Sequence, residues 1–278
     1  MDTTIASPAP ARLGPQRRRR QLSAVVAPVG LLLAFVFVWQ LIASRNTSLV
    51  PHPVDVWTKG FTNPEVRGRL WSAALQTVKE ASAGLLIATV IGVVLAVLMD
   101  RAKWFERAVF PWAVALQTIP ILALVPLIKA RYGAGFSPRV IVCLIIAVFP
   151  IITNSLFGLQ SVDENHHDLF TLHRASGRRR LFKLQFPGAL PAMFTGLRIA
   201  AGLSVIGAIV GEYFFRSGDA GLGHLMELYR AGRSDYDDEA LFATVITTCM
   251  LGVVVFLFFG WIADRATRSW YEPASPAE

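Results

Sequence analysis

Of 278 residues, 54% are hydrophobic and 17% charged, and the mean hydropathy is +0.48. Soluble globular domains carry more charge and less apolar sequence, so this composition excludes an ordinary soluble domain and points to a membrane bundle. The net charge of +8 lies between apolar stretches without basic–aromatic interleaving, which excludes a nucleic-acid partner and makes membrane lipid its natural contact.

Residues 1–21 are rich in Ala, Pro and Arg and end in Arg17–Arg20; they are predicted to form a disordered basic arm. Residues 22–43 form an apolar run long enough to cross the hydrocarbon core and longer than the ~7–15 apolar residues of a cleaved signal peptide, so they read as a retained first span. The connection 44–70 holds Pro51, Pro53 and Pro64. Spans are then predicted at 73–99, 108–128 (with Pro111, Pro120 and Pro126), 139–160 (with Pro150), 193–215 and 240–262. Proline inside a span needs neighbours to satisfy the freed carbonyls, so the third and fourth spans are expected inside the bundle. Gly84, Ala88, Gly92, Ala96, Ala201, Gly207 and Gly211 are small residues that let helices approach closely. Cys143 and Cys249 read as small hydrophobes. The fold class is all-α: a polytopic transmembrane bundle of about six spans, with a transmembrane domain over 22–262 and a short tail over 263–278.

Lys and Arg placement puts the N-terminus in the cytoplasm, together with 100–107, 159–198 and 263–278. The segment 129–139 fits poorly, because it would carry Lys129, Arg131 and Arg139 outside. Lys79 and Glu80 are adjacent and point to different helix faces; they read as interface markers rather than an internal ion pair. Gln117, Thr118, Asn154, Ser155 and Ser204 are polar groups within apolar spans, and Glu212 closes the fifth span. These six either line a translocation path or bond between helices and to the interface.

The most patterned stretch is 163–198, DENHHDLFTLHRASGRRRLFKLQFPGALPAMFTGLR. Leu169, Leu172, Leu181, Phe182, Leu184 and Phe186 are apolar against a charged background. This predicts two short amphipathic helices joined near Ala175–Gly177, the second ending at Pro187 and Pro191 where the next span starts. Such an elbow over 163–191 suits a soluble partner, with apolar anchors filling a groove and Arg178–Arg180 pairing with an acidic rim. His166, His167 and His173 lack a second ligand cluster, so no metal site is expected, and no catalytic constellation is visible. There is no Gly-x-x-x-x-Gly-Lys-Ser/Thr phosphate loop.

The run Phe186-Pro187-Gly188-Ala189-Leu190-Pro191, followed by Phe194-Thr195-Gly196-Leu197-Arg198, resembles the coupling segment of binding-protein-dependent ABC importer permeases. LVPHPVDVW (49–57), WFERAVFPWAVALQTIPILALVPLI (104–128) and IAAGLSVIGAIVGEYF (199–214) are similar to the subfamily that imports nitrate, sulfonates, taurine or pyrimidine-like vitamin precursors. The resemblance spans roughly 30–270. It implies a type I importer-like permease subunit of the bacterial inner membrane that forms the path for a small solute and is not itself an enzyme. It also implies a pair of cytoplasmic ATPase subunits carrying ATP and Mg, with no cofactor on this chain. An extracytoplasmic solute-binding protein and a second permease subunit, most simply another copy, complete the set. Asp168, Arg174, Gly177, Leu184, Phe186, Pro187, Gly188, Leu190 and Pro191 are the implied coupling residues. Arg174 stands where the family has glycine and Gly177 lies three residues later, so either the turn is shifted or the subgroup diverges. An ion-gradient-driven transporter or channel is the alternative; the absence of an inverted repeat and of charges deep in a span argues against it.

Overall fold

The computed structural model describes residues 16–45, 50–232 and 237–267, with side chains from residue 26 onward. The predicted arm therefore lies outside the described residues up to 15, and the tail lies outside them from 268. Two compact units divide the chain, one ending at Trp57 and the other beginning at Thr58.

In the first unit, α1 (Gln16–Arg45) begins within the predicted arm and exposes Leu31, Phe35 and Phe37, as a lipid-facing helix does. Trp39 Nε1 donates to Pro51 O at 3.1 Å, and Gln40 Nε2 lies 3.1 Å from His52 Nδ1. These bonds fold the chain back along α1 before the short helix α2 (Pro53–Asp55).

The second unit is a helical bundle. Asn63 accepts from Glu65 N at 3.0 Å and Pro64 takes the first helical position of α3 (Pro64–Arg101), so capping and φ restriction together start the helix. No proline follows within its 38 residues. The predicted third span is two helices, α4 (Lys103–Thr118) and α5 (Ile121–Tyr132), bent by 99° at their junction. Ile119 there has φ −68° and ψ 125°, the extended conformation that a residue preceding proline favours. Pro111 and Pro126 are exposed, which corrects the expectation that this span lies inside the bundle. The break at Ile119–Pro120 divides the span into two short helices, which bury only Ala113, Val125 and Ile128 in this chain.

α6 (Phe136–Gln160) is the central helix, packed between α3 and α9. Gly84 of α3 faces Cys143 so closely that a methyl group would overlap it, and a methyl on Gly207 of α9 would sit 2.8 Å from the Cys143 backbone. The predicted small-residue stripes are therefore the surfaces by which α3 and α9 clasp α6, where dispersion contacts replace a hydrophobic drive that lipid does not supply. Pro150 removes one backbone donor from α6. Around it Asn154 Nδ2 donates to Pro150 O at 2.8 Å and Thr153 Oγ1 donates to Phe149 O at 3.1 Å.

After α7 (Glu164–Leu172), α8 (Gly177–Arg180) runs through a π-helical turn at Leu181–Gln185 into α9 (Phe186–Phe214). Residues Gly177–Phe214 form one continuous 38-residue helix. This corrects the expected helix end at Pro187 and Pro191. Pro187 lies at the start of α9, and the wide π turn just before it accommodates the misfit of the ring. α10 (Leu222–Arg230) and α11 (Asp237–Thr267) follow and pack on α9. Among the described residues, five helices are long and apolar enough to cross a membrane, or six with the bent pair counted as one span. Among the described residues there is no strand.

Candidate functional site

The elbow is built on the C-terminal ends of α3 and α6. Asp163 caps α7 by accepting from Asn165 N at 2.9 Å. At the other end, Arg174 N–H donates to Thr171 O and Ala175 N–H donates to Phe170 O, both at 2.9 Å. This paired pattern closes a helix through a left-handed residue, and Arg174 is that residue, with φ +45°. The turn is therefore not shifted to Gly177. Gly177 is the first residue of α8, where Arg101 Nη2 donates to its carbonyl at 2.8 Å and a methyl group would meet the guanidinium.

A side chain in the left-handed region costs energy that glycine avoids. The left-handed region costs a residue with a side chain about 1–2 kcal/mol and glycine's extra chain entropy offsets about 0.5–1 kcal/mol of the relief, so Arg174→Gly is expected to stabilise the purified chain by about 0.5–1 kcal/mol, read as a higher midpoint in thermal unfolding. An unchanged or lower midpoint would mean the arginine makes a compensating contact.

Further bonds hold the elbow stiff. Arg180 Nη2 donates to Thr171 Oγ1 at 2.8 Å, tying α8 to α7. Gln185 Nε2 donates to Asp100 Oδ2 at 2.9 Å, tying the π turn to α3. Of the implied coupling residues, Asp168, Arg174, Gly177 and Gly188 are exposed, while Leu184, Phe186, Pro187, Leu190 and Pro191 are half-buried. Phe186 packs against the main core and Leu181 is buried. The apolar groups that point outward are Leu169, Leu172 (81% exposed) and Phe182 (66% exposed). His166 and His173 are exposed, and His167 is half-buried.

The six polar residues of the apolar spans fall in different settings. Gln117 and Thr118 are exposed beside the 99° break, and Thr118 Oγ1 donates to Ala115 O at 2.8 Å. Asn154 is half-buried and packed against Gly196. Ser155 and Ser204 are buried, and Ser204 bonds back to Ala201 O. Glu212 is fully buried and accepts from Gly223 N at 2.8 Å.

A charged cluster occupies the opposite end of the bundle from the elbow. Arg139 Nη1 donates to Glu80 Oε1 at 2.8 Å, and the two side chains are 1% and 0% exposed. The Arg139 nitrogens also donate to Phe215 O (2.8 Å), Asp219 O (2.8 Å) and Ser217 O (3.0 Å). Gln76 Nε2 adds a bond to Glu80 Oε1 at 2.8 Å. This corrects two expectations: Glu80 is an internal ion-pair partner, and charge does lie deep within the spans. Arg139, one of the three awkward basic residues of 129–139, is consumed inside the protein. The signal was the shared face of Gln76, Thr77 and Glu80, four residues apart end to end, with Lys79 exposed at its flank.

Just outside the spans, Glu227 takes Arg216 Nη2 at 2.8 Å and Arg230 Nε at 2.7 Å. Its carboxyl is pushed down to about 2, first by Arg230 and then by a bond from Tyr213, so the α10 fork stays ionised down to strongly acidic pH.

A proline-broken bundle of several spans with a rigid polar elbow at one end is the architecture of a transport permease. The chain belongs to the family described as binding-protein-dependent transport system inner membrane component, whose model matches residues 88–268. It is therefore a transmembrane permease subunit that crosses the inner membrane several times. The formylaminopyrimidine transport permease protein ThiX of Halalkalibacterium halodurans is 32% identical over 82% of this chain and 90% of its own length. The riboflavin transport system permease protein RibX of Chloroflexus aurantiacus is 29% identical over 93% and 96%. An inward-facing structure of the MetNI methionine ABC transporter superposes with a TM-score of 0.61 at 17% identity, covering 76% of this chain and 100% of that one; at that identity the likeness speaks to the fold. Membership of this family, rather than an absence of buried charge, is what sets aside the lone ion-driven transporter.

Proposed function

We propose that this subunit carries a small solute inward by coupling to a separate pair of cytoplasmic ATPase subunits that grip the elbow. ATP and Mg belong to those partners. The observation that carries the reading is the outward display of Leu172 and Phe182 on a helix pair tied to α3 by Arg101 and Gln185. Two exposed apolar anchors on a braced support are what a groove on a moving partner can grip. A second copy of the chain completes the path, and an extracytoplasmic binding protein delivers the solute. The formylaminopyrimidine relative favours a pyrimidine-like vitamin precursor, with nitrate as a neighbouring chemistry from another relative's name; a sulfonate or taurine rests on the sequence resemblance alone. The N-terminus and the elbow both face the cytoplasm.

Cysteine placed at Leu172, in a Cys249→Ala background, tests this. In intact cells it is expected to resist a membrane-impermeant maleimide and to react after permeabilisation. It is also expected to form a crosslink to the coexpressed ATPase subunit. Labelling in intact cells would place the elbow on the outer face and end the proposal.

A further inference from the structure

Glu80 on α3 and Glu212 on α9 are both 0% exposed and meet at one junction: Leu222 N donates to Thr77 Oγ1, a turn before Glu80, at 3.0 Å, and the next residue, Gly223, donates to Glu212 Oε2 at 2.8 Å, so the two carboxyls are electrostatic neighbours. Their other bonds are accounted for. Glu80 Oε1 takes Gln76 and Arg139, and Glu212 Oε2 takes Gly223 N. The remaining oxygens, Glu80 Oε2 and Glu212 Oε1, are buried and accept from no donor. Arg139 directs its other N–H groups at three backbone carbonyls. The Thr77 hydroxyl is also close to Glu212, but it donates to Ala73 O and accepts from Leu222 N, both at 3.0 Å.

Charge leads to the same place. The cluster holds two buried carboxyls and one guanidinium, which bonds Glu80, and an uncompensated buried carboxylate is among the most costly groups a fold can hold. His224 of α10 supplies no second cation, because burial first, and then Arg139 and Arg216, hold its imidazole below the ordinary range. The other titratable group that faces the pair is Cys143 of α6, which brings no positive charge.

We infer that Glu80 Oε2 and Glu212 Oε1 share one bound proton, so that this permease carries a built-in proton site between α3 and α9. One proton satisfies both orphan oxygens and cancels the surplus negative charge. Gly221 leaves no room for even a methyl group against the Glu212 carboxylate, so a hydrated metal cation does not fit in its place. Through Gly223 N the same carboxylate holds the start of α10, and loss of the proton would set two anions against each other at that junction.

The test uses the full-length chain in lipid nanodiscs. Infrared spectra of the wild type at neutral pH are expected to show a carboxylic-acid C=O stretch that moves down in D2O. The band is expected to vanish in Glu212→Gln and to persist in the control Glu227→Gln. In thermal unfolding, Glu212→Gln should melt with the wild type at neutral pH, because its amide can accept from Gly223 and donate to Glu80, whereas Glu212→Ala should melt well below both. As the pH is raised, the wild-type midpoint should fall more steeply than that of Glu212→Gln, since only the wild type has this proton to lose. No acid band in the wild type, or the same band in Glu212→Gln, would overturn the inference. So would stabilisation of the wild type by sodium without an acid band.

Discussion

Replacing Arg139 with methionine is expected to destabilise the bundle by about 3–5 kcal/mol, the range for breaking a buried ion pair from one side. The substitution removes the cation that pairs with Glu80 and leaves the carbonyls of Phe215, Ser217 and Asp219 without the donors they now have. A folded chain of this kind has about 5–15 kcal/mol in hand, so the variant should scarcely accumulate in the membrane at growth temperature. The readouts are the amount of full-length chain in washed membranes and the unfolding midpoint in mild detergent. Arg139→Lys should fall between, since one ammonium cannot reach Glu80 and three carbonyls on different sides. Removing both charges, as Glu80→Met with Arg139→Met, should recover part of the loss, because the Glu80 anion goes with its cation and Glu212 can keep the proton and stay neutral. If Arg139→Met accumulated and melted like the wild type, the ion pair would not be what holds this end of the bundle together.

The second large effect belongs to the elbow. Leu172→Asp combined with Phe182→Asp is expected to abolish ATP-driven uptake while leaving the bundle intact. A fully buried Leu or Phe contributes about 1.5–3 kcal/mol, and about 1.4 kcal/mol is tenfold in affinity. Losing both anchors to a partner groove, and adding carboxylates there, should weaken docking by at least about a hundredfold. Both side chains are exposed in the isolated subunit, so the unfolding midpoint of the purified chain should not move. Solute uptake in cells and copurification with the ATPase subunit are the measurements. Normal uptake by the double variant would remove the elbow as the point of grip.

Several elements were legible because their cause is local. Apolar runs marked the spans, and Gly84 and Gly207 marked the faces that clasp Cys143. The elbow stood out because a charged stretch with spaced apolar residues had no business between two greasy helices. Other features depended on partners far along the chain. Glu80 and Arg139 are 59 residues apart, and neither one's neighbours announce the other. A charge within an apolar helix reads as a boundary marker until the facing helix is known. The proline runs pointed to interruption but not to which residue would break the span. Pro120 sits at the start of a helix after an extended Ile119, whereas Pro111 and Pro126 lie within helices that continue through them. Arg174 misled for a different reason: glycine is the usual answer to a left-handed turn, but the two closing bonds from Arg174 and Ala175 hold the backbone there regardless.

α3 joins both regions. Glu80, near its middle, enters the charged cluster, and Asp100 and Arg101 at its C-terminal end receive the elbow. About 30 Å of helix separates them at 1.5 Å per residue, with no proline between to act as a hinge. Such a strut transmits displacement as translation or tilt and has little slack to absorb it. A displacement imposed at the elbow is therefore delivered to the Glu80–Arg139 cluster almost undiminished, as the far end of a rod follows the near one.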